Sequence, residues 1–262
     1  MGKLALAIRK EYILNPDMGT GKFIIGGQEP FIKLALHSGA AELLSRPECE
    51  TNKDYVQFIP YITLVMEEEG VKKYFMYTRG DLSQEGRLQG KCSLGLGGHI
   101  EESPTHEISL AGVVYRAAKR ELQEEVGLNL DELGYDISFM NYKNSPLVML
   151  YNNDDEVGQY HIGVYGAVVI KPDDIKSLEE GVITKGQWLT AEEIEQKIKS
   201  NEVTLEAWST MVFTSILYQP QFQEELQEDE SESNEPGLTD VSLTTECRVI
   251  GAASMLKNTT GN

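Results

Sequence analysis

The chain has 262 residues, a formal net charge of −19 and 40% hydrophobic residues. That length holds one large domain, or one domain with appendages, and the apolar fraction suffices for a core. The acidic balance excludes general binding to nucleic acid or to anionic membranes, so anionic ligands must be attracted locally, through cations or metal.

No stretch of 18 apolar residues occurs, so no membrane-spanning helix is expected, and Arg9, Lys10 and Glu11 interrupt the short apolar start before it can act as a secretory leader. Cys49, Cys92 and Cys247 are widely spaced. They form neither a metal-binding pair nor a disulfide framework, which fits a reducing cytoplasm.

Taken in chain order, residues 1–54 read as an N-terminal extension packed on the domain, with a strand over Lys3–Ile13, a turn-rich stretch over Asp17–Gly27 and a helix over Pro30–Leu44. Met18-Gly19-Thr20-Gly21-Lys22 lacks the first glycine and the Ser or Thr of a phosphate loop, so it is a turn. The main domain spans 55–219. Val56–Met66 is β-rich but contains Pro60, which suggests an edge or bulged strand. Glu67-Glu68-Glu69-Gly70 is a turn, and Val71–Arg79 returns as the second arm of a hairpin. Further strands are expected over Asp136–Met140, Leu147–Tyr151 and Gln159–Ile170, the last long, β-branched and central. Thr190 is a good N-cap for a helix over Ala191–Lys199, and Thr204–Leu217 reads as another amphipathic helix. Strands, a helix, more strands and further helices suit an α/β/α sandwich over a mixed sheet. From about Pro220 to Asn262 the chain reads as an acidic, disordered tail in which Val241–Leu256 could form a short element.

The helix between the two groups of strands carries Arg120-Glu121-Leu122-Gln123-Glu124-Glu125-Val126-Gly127-Leu128. Spacings of three and four put Glu121, Glu124 and Glu125 toward one side, while Tyr115, Ala118, Leu122 and Val126 form an apolar stripe. Like charges at such spacings cost an isolated helix roughly 0.2–0.5 kcal/mol per pair, a cost that a divalent cation would reverse. The ordinary alternative is a solvated acidic face. Gly127 can take the left-handed cap that ends the helix. Upstream lies Gly90-Lys91-Cys92-Ser93-Leu94-Gly95-Leu96-Gly97-Gly98-His99-Ile100-Glu101-Glu102, whose backbone a ligand can approach closely. Arg79, Arg87 and Lys91, grouped near this loop, are candidates for contacts to phosphate. His99 and His106 are candidate ligands or bases, and His161 reads as a packing or pocket residue.

At these positions the chain resembles the Nudix (MutT-like) hydrolase family. The second half of that signature, Arg-Glu-aliphatic-x-Glu-Glu-x-Gly-aliphatic, is matched from Arg120 to Leu128. The first half resembles it around Gly97-Gly98 and Glu101 or Glu102, with an insertion of about eight residues within 101–112. Glu101, Glu102 and Glu107 remain alternatives for the first signature glutamate. The resemblance implies a Nudix-type α/β/α sandwich and metal-dependent hydrolysis of a diphosphate linkage in a nucleoside-diphosphate-linked or related small molecule. It implies Mg²⁺ or Mn²⁺ held by Glu121, Glu124, Glu125 and the Gly97 carbonyl, with Arg120 orienting the glutamates. The general base is left open between a helix glutamate and a distant acid, for which Glu179 and Glu180 are well placed. A Nudix-fold binding module with altered catalysis is the alternative. The expected partner is a small phosphoanhydride, not a membrane or nucleic acid; oligomeric state is open, a homodimer included.

Overall fold

The computed structural model describes residues 3–14, 19–26, 39–81, 88–105, 108–139, 148–154, 156–218 and 247–250. Strand β1 (Leu4–Arg9), β2 (Lys22–Gly26) and β3 (Ala41–Ser45) come first, followed by the short helix α1 (Arg46–Cys49). The hairpin β4 (Tyr55–Glu68) and β5 (Val71–Arg79) precedes β6 (Cys92–Ser93) and the long helix α2 (Leu110–Val126). After α3 (Leu130–Leu133) come β7 (Ser138–Phe139), β8 (Val148–Asn152), β9 (His161–Val169) and β10 (Ile183–Leu189). Helices α4 (Ala191–Lys199) and α5 (Ala207–Val212) follow, and β11 (Cys247–Ile250) is the last element.

The strands form one mixed sheet in the order β10-β5-β4-β9-β8-β2-β11, with β1 joining β3 and β4, β6 on β5 and β7 on β9. Strands β4 and β9 run parallel from Gln57↔His161 to Val65↔Val169 and make the spine. Period-two alternation along β4 divides the core. Ile62 and Leu64 face α2, through Ala118, Leu122 and Val126. Tyr61 and Val65 face the opposite side, where Met211 and Val212 of α5 and Ile194 of α4 pack. Helices therefore cover both faces of a mixed sheet, the α/β/α sandwich that the element order suggests.

Local chemistry explains several boundaries. Glu69 and Gly70 both take positive φ (52° and 81°), the mirror-image turn that suits the twist of a tight hairpin. Thr190 accepts from the Glu193 amide while the Glu193 carboxylate accepts from the Thr190 amide, a complete capping box for α4. The expected helix over Thr204–Leu217 is realised as α5 followed by a wider π turn over Phe213–Leu217.

Three expectations need correction. Residues 41–44, assigned to a helix, are strand, because Ala41–Ser45 pairs antiparallel with Leu4–Ile8; residues 30–38 lie outside the described set. Pro60 lies in a central strand, not an edge. It falls between the β1 pairing, which ends at Gln57, and the bridge from Ile62 to Leu96, where a missing N–H costs no ladder bond. Strand β10 was not foreseen as an element, since Lys185, Gly186 and Gln187 break its apolar pattern, yet it pairs with β5 over most of its length. The described part of 1–54 supplies three strands to the sheet. The stretch read as a disordered tail, 220–262, lies outside the described residues except for Cys247–Ile250, which pairs parallel with β2.

Strand β11 is short and adds to a strand already paired on its other side by β8. A chain ending at Gln219 is expected to keep a cooperative thermal transition, with Tm lowered by no more than about 4 °C, the shift for about 1 kcal/mol in a domain of this size. Loss of the transition in calorimetry would show that β2 depends on its terminal neighbour.

Candidate active site

The long helix α2 begins at Ser109, whose hydroxyl accepts from the Gly112 amide at 3.2 Å, and ends at Gly127 in the left-handed region (φ 64°). Leu122 and Val126 are fully buried, which fixes the rotation of the last turns. That rotation separates the three glutamates. Glu124 is on the surface with its side chain 55% exposed, Glu121 is 13% exposed, and Glu125 is buried within the body of the protein. They are a graded series from solvent to interior, and not a uniform acidic face.

Arg120 braces this series. One guanidinium nitrogen, Nη2, donates to the His99 carbonyl at 2.8 Å and lies 2.7 Å from Glu121 Oε1. The other, Nη1, donates to Glu124 Oε2 at 3.1 Å. The fork thus ties helix to glycine loop and sets the Glu121 carboxylate.

The loop is held from the opposite side by reciprocal bonds between Ile62 and Leu96, at 2.9 and 3.0 Å. At Gly97 only glycine fits, and a side chain at Gly98 would displace the Glu121 carboxylate. A Cβ on Gly97 would lie 1.7 Å from the Pro60 carbonyl oxygen, and one on Gly98 would lie 2.4 Å from the Glu121 carboxyl carbon. The backbone is therefore pressed directly against the carboxylates.

The Gly97 amide donates to Glu125, whose Oε2 is buried with no hydrogen-bond partner among the described residues. Burial, reinforced by Glu121 and Glu179 and opposed by Arg79, pushes the Glu125 carboxyl up to about 8. Burial also raises the Glu121 carboxyl, against the pull of Arg120. Two carboxylates made costly by desolvation, one with an orphaned oxygen, beside a close-packed loop, fit a hard divalent cation. Such a cation takes one or two carboxylates and completes its shell with backbone oxygen, water and substrate phosphate.

These groups line a cleft of about 320 Å³. Arg79 enters it from the end of β5, with its Nε buried and unpartnered among the described residues. Burial works against the Arg79 charge, but Tyr77, Glu206, Tyr61 and Glu125 outweigh it and hold the guanidinium more firmly protonated. The cleft also receives Glu101, Glu179, His99 and His161. Burial pushes the His99 ring down to about 3, so it is neutral at ordinary pH.

Other candidates lie elsewhere. Glu101 pairs with Arg46 at 3.3 Å at the cleft wall, whereas Glu102 is gripped by Arg116 at 2.9 and 2.6 Å on the outside. Glu180 and Lys91 do not line the cleft, and Glu179 does. Arg87, His106 and Glu107 lie outside the described residues.

Glu206 was not singled out in the sequence. It caps α5 by accepting from the Trp208 and Ser209 amides, both at 3.1 Å, accepts from the Tyr61 hydroxyl, and lines the cleft with Trp208 and Asn152. Glutamate is a poor N-cap signal, so no local pattern marks it.

The buried Glu125 gives a signed prediction. Its folded value of about 8 exceeds the 4.5 of an ordinary glutamate, so the native state binds the extra proton and metal-free stability falls as pH rises from about 4.5 through about 8. Glu125→Gln in a chelator should lack that slope and melt higher than the parent at pH 8, and Mg²⁺ should narrow the gap by stabilising the parent alone. Parallel Tm-against-pH curves for the two proteins would contradict this placement of Glu125.

No protein-family model matches the chain. Its sequence is 32% identical over 171 residues to Protein YmaB of Bacillus subtilis (strain 168), a match that covers 64% of this chain and 75% of that protein. The fold is similar to that of Tm1382, named as a candidate Nudix hydrolase, with a TM-score of 0.56 at 19% identity over 82% of this chain and 98% of that one. A NUDIX hydrolase from Alicyclobacillus acidocaldarius is also similar, with a TM-score of 0.43 at 12% identity over 69% of this chain and 98% of that one. The chain thus belongs to one family with Protein YmaB and has the fold of the Nudix hydrolases, with the signature stretch Arg120–Leu128 on its long helix.

Proposed function

We propose that the protein hydrolyses a diphosphate linkage in a nucleoside-diphosphate-linked or related small molecule, with Mg²⁺ or Mn²⁺ held by Glu121, Glu125 and the Gly97 carbonyl. The observation that carries this reading is the Glu121 carboxylate packed against Gly98 beside the buried Glu125 carboxylate bonded to the Gly97 amide, with the Arg79 guanidinium in the same cleft.

When bound, the cation supplies Lewis acidity and neutralises charge on the diphosphate. The chain supplies the rest. Arg79 grips a phosphate with its fork in a partly desolvated setting where charge counts for more than in water. Arg120 keeps Glu121 aimed, and Glu124 on its outer side completes the brace. Water adds to one phosphorus, its bond to the bridging oxygen breaks, and that oxygen leaves on the other phosphate. The water's proton passes to Glu179, which lines the cleft and is exposed enough to return the proton to solvent. Trp208, half-buried and edge-on to Tyr61 at 5.5 Å, offers a ring face at the cleft for the flat part of a nucleoside. The free thiols of buried Cys49 and Cys92 suit action in a reducing cytoplasm.

The test is a panel of nucleotide sugars, dinucleoside polyphosphates, NAD-type compounds and nucleoside triphosphates, with product analysis in Mg²⁺, Mn²⁺ or chelator. At least one class should be split at its anhydride only with metal. Glu121→Gln should lower that turnover about 10²-fold or more. Glu179→Gln should lower kcat with little change in KM, and Glu180→Gln should match the parent. A folded parent that cleaves none of the classes, or full turnover by Glu121→Gln, would overturn the proposal.

A further inference from the structure

Glu50, His99 and His161 meet at the wall of the same cleft, drawn from three distant parts of the chain. Glu50 follows α1, His99 follows the two glycines, and His161 opens β9 opposite Gln57. One ligand atom from each lies within 4.8 Å of the other two. From this juxtaposition we propose a second metal site, separate from the glutamates of α2, that takes a transition-metal dication of the Zn²⁺ type.

The geometry of the pair His161 and Glu50 supports it. His161 Nε2 lies 3.3 Å from Glu50 Oε1. Two donors each about 2.0–2.1 Å from a tetrahedral centre lie about 3.3 Å apart, so this edge of the polyhedron already has its length. His161 Nδ1 is 2.8 Å from the Val157 carbonyl, which can only accept. Nδ1 therefore carries a hydrogen, and Nε2 is the ring nitrogen turned toward Glu50. An imidazole steered by a backbone carbonyl is the usual outer-shell arrangement of a metal-binding histidine.

His99 supplies an independent observation. Its Nε2 is buried without a partner among the described residues. The His99 and His161 rings stand edge-on, centroids 5.6 Å apart, and the His99 backbone is fixed by Arg120. Gln57 Nε2 closes the remaining side, donating to Glu50 Oε1 at 3.0 Å and lying 3.2 Å from His161 Nε2, so a bound cation would take the place of the Gln57–His161 contact.

The donor set decides the metal class. Two imidazoles and one carboxylate suit Zn²⁺ and its transition-metal neighbours, whereas the oxygen donors of Glu121, Glu125 and Gly97 suit Mg²⁺ or Mn²⁺. Three protein ligands leave a fourth position for water or substrate. His99 and His161 line the cleft with Glu50 behind them, so a cation held there would be within reach of a ligand in the cleft.

The inference is tested with the full-length, tag-free chain titrated with Co²⁺, which reports its geometry by visible absorption, and with Zn²⁺ in competition against a chromophoric chelator. One equivalent should bind with a tetrahedral-type spectrum, and Zn²⁺ should displace it. Glu50→Gln and His99→Asn should each weaken binding more than about tenfold, with far-ultraviolet circular dichroism unchanged. Glu121→Gln should keep the spectrum, which separates this site from the proposed hydrolytic one. Absence of a tetrahedral spectrum in the parent, or equal binding by folded Glu50→Gln and His99→Asn, would overturn the proposal and leave Gln57, His161 and Glu50 as a structural hydrogen-bonded group.

Discussion

Burying a carboxylate is among the more expensive things a fold can do, and this one buries Glu125 beneath a glycine loop. Much of the surrounding architecture offsets that cost. The Gly97 amide donates to the carboxylate, and Arg79 opposes its charge from the end of β5. Leu122 and Val126 anchor the helix in the rotation that sends Glu125 inward. The loop reaches the helix only because the Ile62–Leu96 bridge fastens it to the central strand and because positions 97 and 98 carry no Cβ. Helix, hairpin and loop meet at one oxygen atom, Glu125 Oε2, that is left without a partner among the described residues.

The cleft built around that atom has an internal order. Glu124 stands at the surface, Glu121 between, Glu125 inside, and Arg120 couples the outer two to the His99 carbonyl. The same three-residue turn, Gly97-Gly98-His99, therefore presses on the oxygen-rich group on one side and presents an imidazole to Glu50 and His161 on the other. Two donor sets of different hardness share one short piece of backbone. A substrate spanning the cleft would meet both.

How much of this was legible follows from range. The Glu69-Gly70 turn, the Thr190 capping box and the Gly127 stop are settled by residues within four positions of one another, and each is visible in the sequence. The Arg120–Leu128 pattern lies on the long helix whose last turns line the cleft. The split of its glutamates between solvent and interior was not visible, because helical spacing gives an angle but not the depth of the neighbouring loop. Residues 41–44 looked helical because their partner, β1, lies far upstream and tertiary pairing overrides local preference. Glu206 and His161 reach the cleft, with Glu50 behind His161, through strand register and loop return, with contacts more than 100 residues apart in the Gln57–His161 and Tyr61–Glu206 pairs. No window of sequence contains such pairs. Glu179 and Glu180 were adjacent candidates, and only the course of the chain past the end of α2 brings Glu179 alone into the lining.

The proposed role of the buried end of α2, holding a hard cation against a diphosphate, is checked by anomalous diffraction from crystals grown with Mn²⁺ and a non-hydrolysable diphosphate. The account predicts a manganese peak within about 2.5 Å of carboxylate oxygens of both Glu121 and Glu125, with a phosphate oxygen in the same shell. Ordered diphosphate in the cleft with no peak beside Glu121 and Glu125 would contradict it.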